Sequence, residues 1–243
     1  LAHAVPLLDG RDARGADGLT ALRVVGTGTP DLLSVADRRV RLRGRLLREN
    51  DADPRLAAFC QGVRRHLDDD GWFHATRGFA EVTAKLGVTL RETFGPGDGF
   101  RSGFLGHIGT EMLLDDVLRA RIPGVLDRFY AAAESVDPME IQSFVNRLHP
   151  VGTDRVARML RGFCESRFLA DYADPERLLF RMNQVCKRVK LTPLPDAAAA
   201  VLADARTMVD DRRFELLPPD RYPWPAEFVP PSLAALSSPA SPS

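Results

Sequence analysis

The stretch PRLAAFCQGVRRHLDDDGWFH, residues 54–74, decides the fold class. Leu56, Phe59, Cys60 and Val63 recur at three- and four-residue spacing, the pattern of a helix with one buried face. Asp68-Asp69-Asp70-Gly71 is expected to weaken or kink that helix, because Asp and Gly are poor helix formers. Working outward, the helical pattern returns again and again. A stretch over 74–94 ends at Gly95-Pro96-Gly97. A long helix over 100–121 carries an apolar face of Phe104, Leu105, Ile108, Met112 and Leu113. Pro123 permits a new helix to about 135. Asp137-Pro138 and Asp174-Pro175 each pair an N-cap with proline at the first helical position. Further helices are expected over 154–172, 176–190 and 196–214.

Residues 1–50 read differently. They are rich in Gly, Asp and Arg, and only Leu22 to Val25 form a short apolar run. Gly26-Thr27-Gly28-Thr29-Pro30 reads as a turn, since the third glycine of a dinucleotide-binding loop is not in place. From Leu217 the chain is rich in Pro and Ser, a composition that reads as a disordered tail. The expected architecture is therefore all-α. It comprises one helical domain over 1–216 with an irregular N-terminal segment, and a tail over 217–243.

Composition narrows the function. The chain has 243 residues, 44% of them hydrophobic, enough for a sizeable core. The 33 basic and 33 acidic residues balance, which argues against nucleic-acid binding driven by bulk charge. No apolar run is long enough to span a bilayer. Cys60, Cys164 and Cys186 stand far apart with no CxxC spacing, so no zinc ribbon or dithiol site is indicated. That sparse cysteine usage leads us to expect a cytoplasmic protein.

The chemistry lies in the histidines. His66, Asp70 and His74 are four residues apart, and so are His107, Glu111 and Asp115. Positions i and i+4 share a helix face, about 6 Å apart at Cβ. Each set therefore offers ligands in a row, and imidazole with carboxylate suits zinc, manganese or iron. A single such pair is commonly a surface or capping contact. Two triplets using three of the five histidines are a stronger signal. Gly103, Gly106 and Gly109 sit beside His107, and each costs about 1 kcal/mol in a helix relative to Ala. Close packing or a metal site would account for them.

These residues resemble the acyl carrier protein phosphodiesterase family. Leu1-Ala2-His3 is similar to the end of that family's Asn-aromatic-Leu-Ala-His opening. Gly26-x4-Asp31 is similar to its Gly-Asn-x-x-Ala-Asp segment, and Gly62-x3-His66-x3-Asp70 to its Gly-x-x-x-His-x-x-x-Asp segment. Glu111-x3-Asp115-Asp116-x-Leu118 is similar to its Asp-x3-Asp-His-x-Leu helix, with Asp116 where the family has His. His74 and His107 are additional histidines. The resemblance implies an HD-like helical bundle that hydrolyses a phosphodiester, with acyl carrier protein as substrate and a divalent ion, usually described as manganese, where the ligand types also admit zinc or iron. It adds His3 and Asp31 to the ligand candidates that spacing offers, so that the expected metal ligands are His3, Asp31, His66, Asp70, His74, His107, Glu111 and Asp115. Asp70 or Asp116 would orient or deprotonate the attacking water, and Arg65 would clamp the phosphate. Asp31, His66, Asp70, His107, Glu111 and Asp115 are expected to converge in one pocket.

Two alternatives stay open. His66, Asp70, His74, His107 and Glu111 are also similar to the His-x3-Asp, His and His-x3-Glu pattern of zinc-dependent phospholipase C and related nucleases. A non-enzymatic helical binding protein with a structural or remnant metal site is the other.

Overall fold

The computed structural model describes residues 1–8, 17–95 and 101–234, and every regular element among them is helical. In chain order these are α1 (Val5–Leu8), α2 (Gly18–Ala36), α3 (Pro54–Phe73), α4 (Arg77–Phe94), α5 (Ser102–Arg121) and α6 (Val125–Glu134). They continue with α7 (Pro138–Leu148), α8 (Val156–Ser166), α9 (Pro175–Arg188), α10 (Ala198–Asp211), α11 (Arg213–Leu216) and α12 (Pro231–Ala234). Short 3-10 turns cover Gly44–Leu46, Phe168–Ala173 and Ala226–Phe228. No described helix is long and apolar enough to cross a membrane. The chain divides into two compact units, one from Leu1–Trp72 with Gly124–Phe168, the other from Phe73–Pro123 with Leu169–Ser243. The expected domain over 1–216 spans both.

In the first unit α2 packs on α1, α6 and α8, and α7 on α8. Leu22, Leu33, Leu56, Phe59 and Tyr130 are fully buried there. Helices α2 and α3 cross with their backbones touching. A Cβ on Gly62 would lie 2.1 Å from the Arg23 carbonyl oxygen, and one on Gly26 would lie 2.4 Å from that of Phe59. Glycine at both positions is what lets the helices approach this closely. Gly62 is one turn before His66, so this crossing fixes the height of His66 on α3.

The N-terminal segment is helical over Gly18–Ala36, contrary to expectation, while residues 37–53 carry only the 3-10 turn Gly44–Leu46 and residues 9–16 lie outside the described residues. α2 runs through the presumed turn at Gly26–Pro30. Asp17 caps it, its carboxylate accepting from the Thr20 N–H at 2.6 Å. Thr27 and Thr29 donate their hydroxyls to the Val24 and Val25 carbonyls at 2.7 and 2.8 Å. The glycine that reads locally as a breaker is instead a contact surface for α3. The helix also does not break at Asp68–Gly71, since α3 continues to Phe73. Arg65 and Trp72, one turn away on either side of Asp69, both engage its carboxylate.

In the second unit α4 lies along α5, and α10 packs on α4, α5 and α9. The last turns of this unit correct the expected tail. Tyr222 and Trp224 are buried, and the Trp224 indole N–H donates to the Leu217 carbonyl at 2.7 Å. Residues 235–243 of that tail, and Pro96-Gly97 of the expected break, lie outside the described residues. Both Asp-Pro starts hold. Asp137 accepts from the Met139 N–H at 2.9 Å, and Asp174 from those of Glu176 and Arg177 at 2.9 and 3.0 Å. The helix expected over 154–172 stops sooner, at Arg167, whose φ of 43° is left-handed.

Candidate metal centres

The histidines and carboxylates gather in two groups, each inside one unit. In the first unit, His3, His66 and Asp70 each present a ligand atom, and these atoms lie within 4.8 Å of one another. α3 supplies His66 and Asp70 from one face. His3 arrives from the turn before α1. The His3 and His66 rings are 4.5 Å apart between centroids.

His66 is buried, at 5% exposure, and its Nδ1 has no hydrogen-bond partner among the described residues. A backbone hydrogen bond with Thr27 engages the ring. Burial pushes its pKa below the ordinary 6.5, against the opposing pull of Asp31 and Asp70. The imidazole is therefore held neutral, which is the form that ligates a metal. A buried nitrogen lone pair with no donor to meet it is costly. A cation at this position would remove that cost, so the donor set fits a divalent ion.

Asp69 was not singled out by sequence, yet it orients this group. Its Oδ2 lies 3.5 Å from His3 Nδ1 and 3.3 Å from Arg65 Nε. Its Oδ1 accepts from the Trp72 indole N–H at 3.2 Å. Burial raises the Asp69 carboxyl pKa, but His3 and Arg65 outweigh it and hold the group lowered. A carboxylate at ion-pair distance from a ring nitrogen of a ligand histidine orients the ring. The only sequence signal for Asp69 was its i+4 spacing from Arg65. Arg65 itself, expected to clamp phosphate, has its Nε directed elsewhere. It donates to the His3 carbonyl at 3.1 Å and faces Asp69, so it positions His3. Asp31 is exposed on α2 and acts on His66 through its charge, outside the 4.8 Å set.

In the second unit, His74, His107 and Glu111 form the other group. Glu111 Oε1 is 2.9 Å from His74 Nε2 and 3.1 Å from His107 Nε2. The two imidazoles are 4.7 Å apart between centroids, and Phe79 packs against both. Burial raises the Glu111 carboxyl pKa, but the hydrogen bonds from His107 and His74 bring it down to about 2. α5 comes close enough to α4 because of Gly106, where a Cβ would meet the Thr83 carbonyl oxygen at 2.3 Å. Gly109 faces the Leu86 side chain, and nothing lies within 4 Å of a Cβ on Gly103. Close packing therefore accounts for two of the three glycines around His107.

The expected single row on α5 is shorter than its spacing suggested. Asp115, one turn beyond Glu111, is not in the group. Asp116 is not a candidate for handling water, because it is buried at 1% exposure between two arginines. Its Oδ1 accepts from Arg119 Nε at 2.7 Å and its Oδ2 from Arg206 Nε at 2.5 Å. That pairing ties α5 to α10. Of Asp31, His66, Asp70, His107, Glu111 and Asp115, expected in one pocket, His66 and Asp70 fall in the first unit's group and His107 and Glu111 in the second's, while Asp31 and Asp115 are in neither.

Compared with protein-family models, with curated proteins and with solved structures, the chain matches none.

Proposed function

We propose that this chain is a metal-dependent phosphodiesterase that directs water at a phosphodiester, in the manner of the acyl carrier protein phosphodiesterases it resembles. One observation carries the reading: the buried His66 Nδ1, without a partner, in a set with His3 and Asp70 whose ligand atoms lie within 4.8 Å. His3, His66 and Asp70 would hold a divalent ion, manganese or zinc. A bound divalent ion supplies Lewis acidity toward a phosphoryl oxygen and toward the attacking water. The protein does the rest. Asp69 and Arg65 hold His3 in place, and burial keeps His66 neutral. Asp70 carries the negative charge within the set, and Asp31 adds an exposed carboxylate on the same unit to receive a proton. Asp116 takes no part, since its oxygens are engaged by Arg119 and Arg206.

The test is metal content by elemental mass spectrometry, followed by hydrolysis of bis-p-nitrophenyl phosphate with manganese or zinc. We expect bound metal and turnover, both lost in His66→Ala with the helical circular dichroism signal retained. Protein that takes up no metal on reconstitution overturns the reading. Metal without turnover makes the chain a binding protein.

The group of His74, His107 and Glu111 favours a second reading, a zinc-dependent phospholipase C or nuclease-like hydrolase, because the His-x3-Glu spacing is realised there with a further histidine. Zinc-dependent cleavage of phosphatidylcholine or single-stranded DNA, abolished in Glu111→Gln, would establish it. Absence of both activities in the zinc-loaded protein would remove it.

A further inference from the structure

Between α2 and α3 the chain carries a row of cations that the metal chemistry does not use. From Val40 to Arg43 burial alternates: Val40 and Leu42 face the core, while Arg41 and Arg43 are exposed. Arg43 has extended backbone, with φ −102° and ψ 153°. In an extended chain such alternate side chains stand about 6.5 Å apart on one side. Arg45 follows, also exposed, in the 3-10 turn Gly44–Leu46. None of the three forms an ion pair with a described acid. The nearby acids are committed elsewhere: Asp37 pairs with Arg39 at 2.8 Å, and Glu49 with Arg64 at 2.9 Å.

The row is also held in place. Arg64, two positions before His66 on α3, donates to the Gly44 carbonyl at 2.9 Å while pairing with Glu49. The Arg48 N–H is 3.3 Å from the buried Cys60 sulfur. With Val40 and Leu42 anchored, the backbone under the arginines has little freedom to lose on binding, and pre-organisation of that kind favours association. Holding like charges side by side without counter-ions opposes folding, in a chain whose 33 basic and 33 acidic residues otherwise balance. An anionic partner would relieve that repulsion.

We propose that Arg41, Arg43 and Arg45 form a docking surface for an acidic protein. The chemistry favours protein over nucleic acid. Residues 37–50 contain no aromatic side chain on which the bases of a single strand would stack, and a duplex would meet a chain whose 33 basic and 33 acidic residues leave no excess of positive charge. Guanidinium groups pair well with carboxylates, bidentately where geometry permits. The choice of probe rests on the phosphodiesterase reading, in which the substrate arm is borne by a carrier protein.

The experiment measures fluorescence anisotropy of labelled holo-acyl carrier protein, poly-L-glutamate and a short duplex DNA against the full chain. Hydrolysis of bis-p-nitrophenyl phosphate is followed in parallel. We expect the two acidic polypeptides to bind, with affinity falling as salt rises. The triple variant Arg41→Gln, Arg43→Gln, Arg45→Gln should weaken that binding by roughly tenfold or more, the three Arg→Lys replacements much less. Small-substrate turnover should be unchanged in both, and the thermal melt should stay level in the Lys variant and stay level or rise in the Gln variant, where the repulsion is removed. Equal binding by wild type and the Gln variant overturns the proposal. So does failure of both acidic polypeptides to bind, or duplex DNA binding more tightly than either. Binding that depends on the arginines in a protein without turnover upholds the docking surface and sinks the phosphodiesterase reading alone.

Discussion

The imidazoles of His3 and His66 face one another at 4.5 Å, one from the turn before α1 and the other buried on α3. No local spacing rule joins them. Asp69 makes the pairing useful, because it faces Nδ1 of His3 at 3.5 Å from the same helix that supplies His66. From this it follows that Asp69→Asn should lower metal affinity by about 10–100-fold. The melting temperature of the metal-free protein should fall little. Competition against a fluorescent chelator reads the affinity. Unchanged affinity would assign Asp69 to helix packing alone.

Metal stoichiometry separates the two groups. His66→Ala should abolish uptake at the first unit's group, and Glu111→Gln should weaken uptake at the second. Isothermal titration with zinc would then lose a different binding event in each variant. If both variants bind the same number of ions as the parent protein, neither group holds metal.

The crossing of α2 and α3 leaves no room at Gly62. Gly62→Ala should destabilise the protein by about 1–3 kcal/mol, because its Cβ meets the Arg23 backbone rather than a movable side chain. Gly71→Ala on the same helix is the control. Nothing lies within 4 Å of its Cβ, so it should be neutral or stabilising by up to about 1 kcal/mol. Urea unfolding of the pair decides the matter, and equal midpoints would refute the close approach.

Asp116→Asn should cost about 2–3 kcal/mol, since it leaves two arginines facing a neutral amide in a buried position, although both are part-exposed. Turnover per folded molecule should stay near that of the parent protein. A large fall in turnover at full folding would return Asp116 to the catalytic set.

Glu111 makes stability depend on pH. Its carboxyl sits at about 2 against an ordinary 4.5 because the hydrogen bonds from His107 and His74 outweigh its burial. A carboxyl depressed in the folded state binds fewer protons there than in the unfolded chain. Its contribution is therefore complete above about pH 4.5 and lost as the pH falls toward about 2. In metal-free protein the difference in urea midpoint between the parent and Glu111→Gln should shrink from pH 6 to pH 3. A difference that grows over that range would contradict the ion-pair geometry.

Much of this was written locally in the chain. The period of Leu56, Phe59, Cys60 and Val63, and the Asp-Pro starts at Asp137 and Asp174, determine helices because capping and i,i+4 neighbours are local interactions. The pair His107 and Glu111 was legible for the same reason. What local reading missed was contact between distant segments. Gly26 and Pro30 look like a turn until α3 is seen lying against Gly26. Asp68–Gly71 looks like a break until Asp69 is seen bound by Trp72, Arg65 and His3. Asp116 looks like a second water-handling carboxylate until Arg206 arrives from α10. The sequence by itself determined an all-helical chain with histidines and carboxylates at ligand spacing. Only the tertiary structure decided which of them share a site, because helix crossings, which depend on where a backbone can approach unhindered, bring together residues that no periodicity connects.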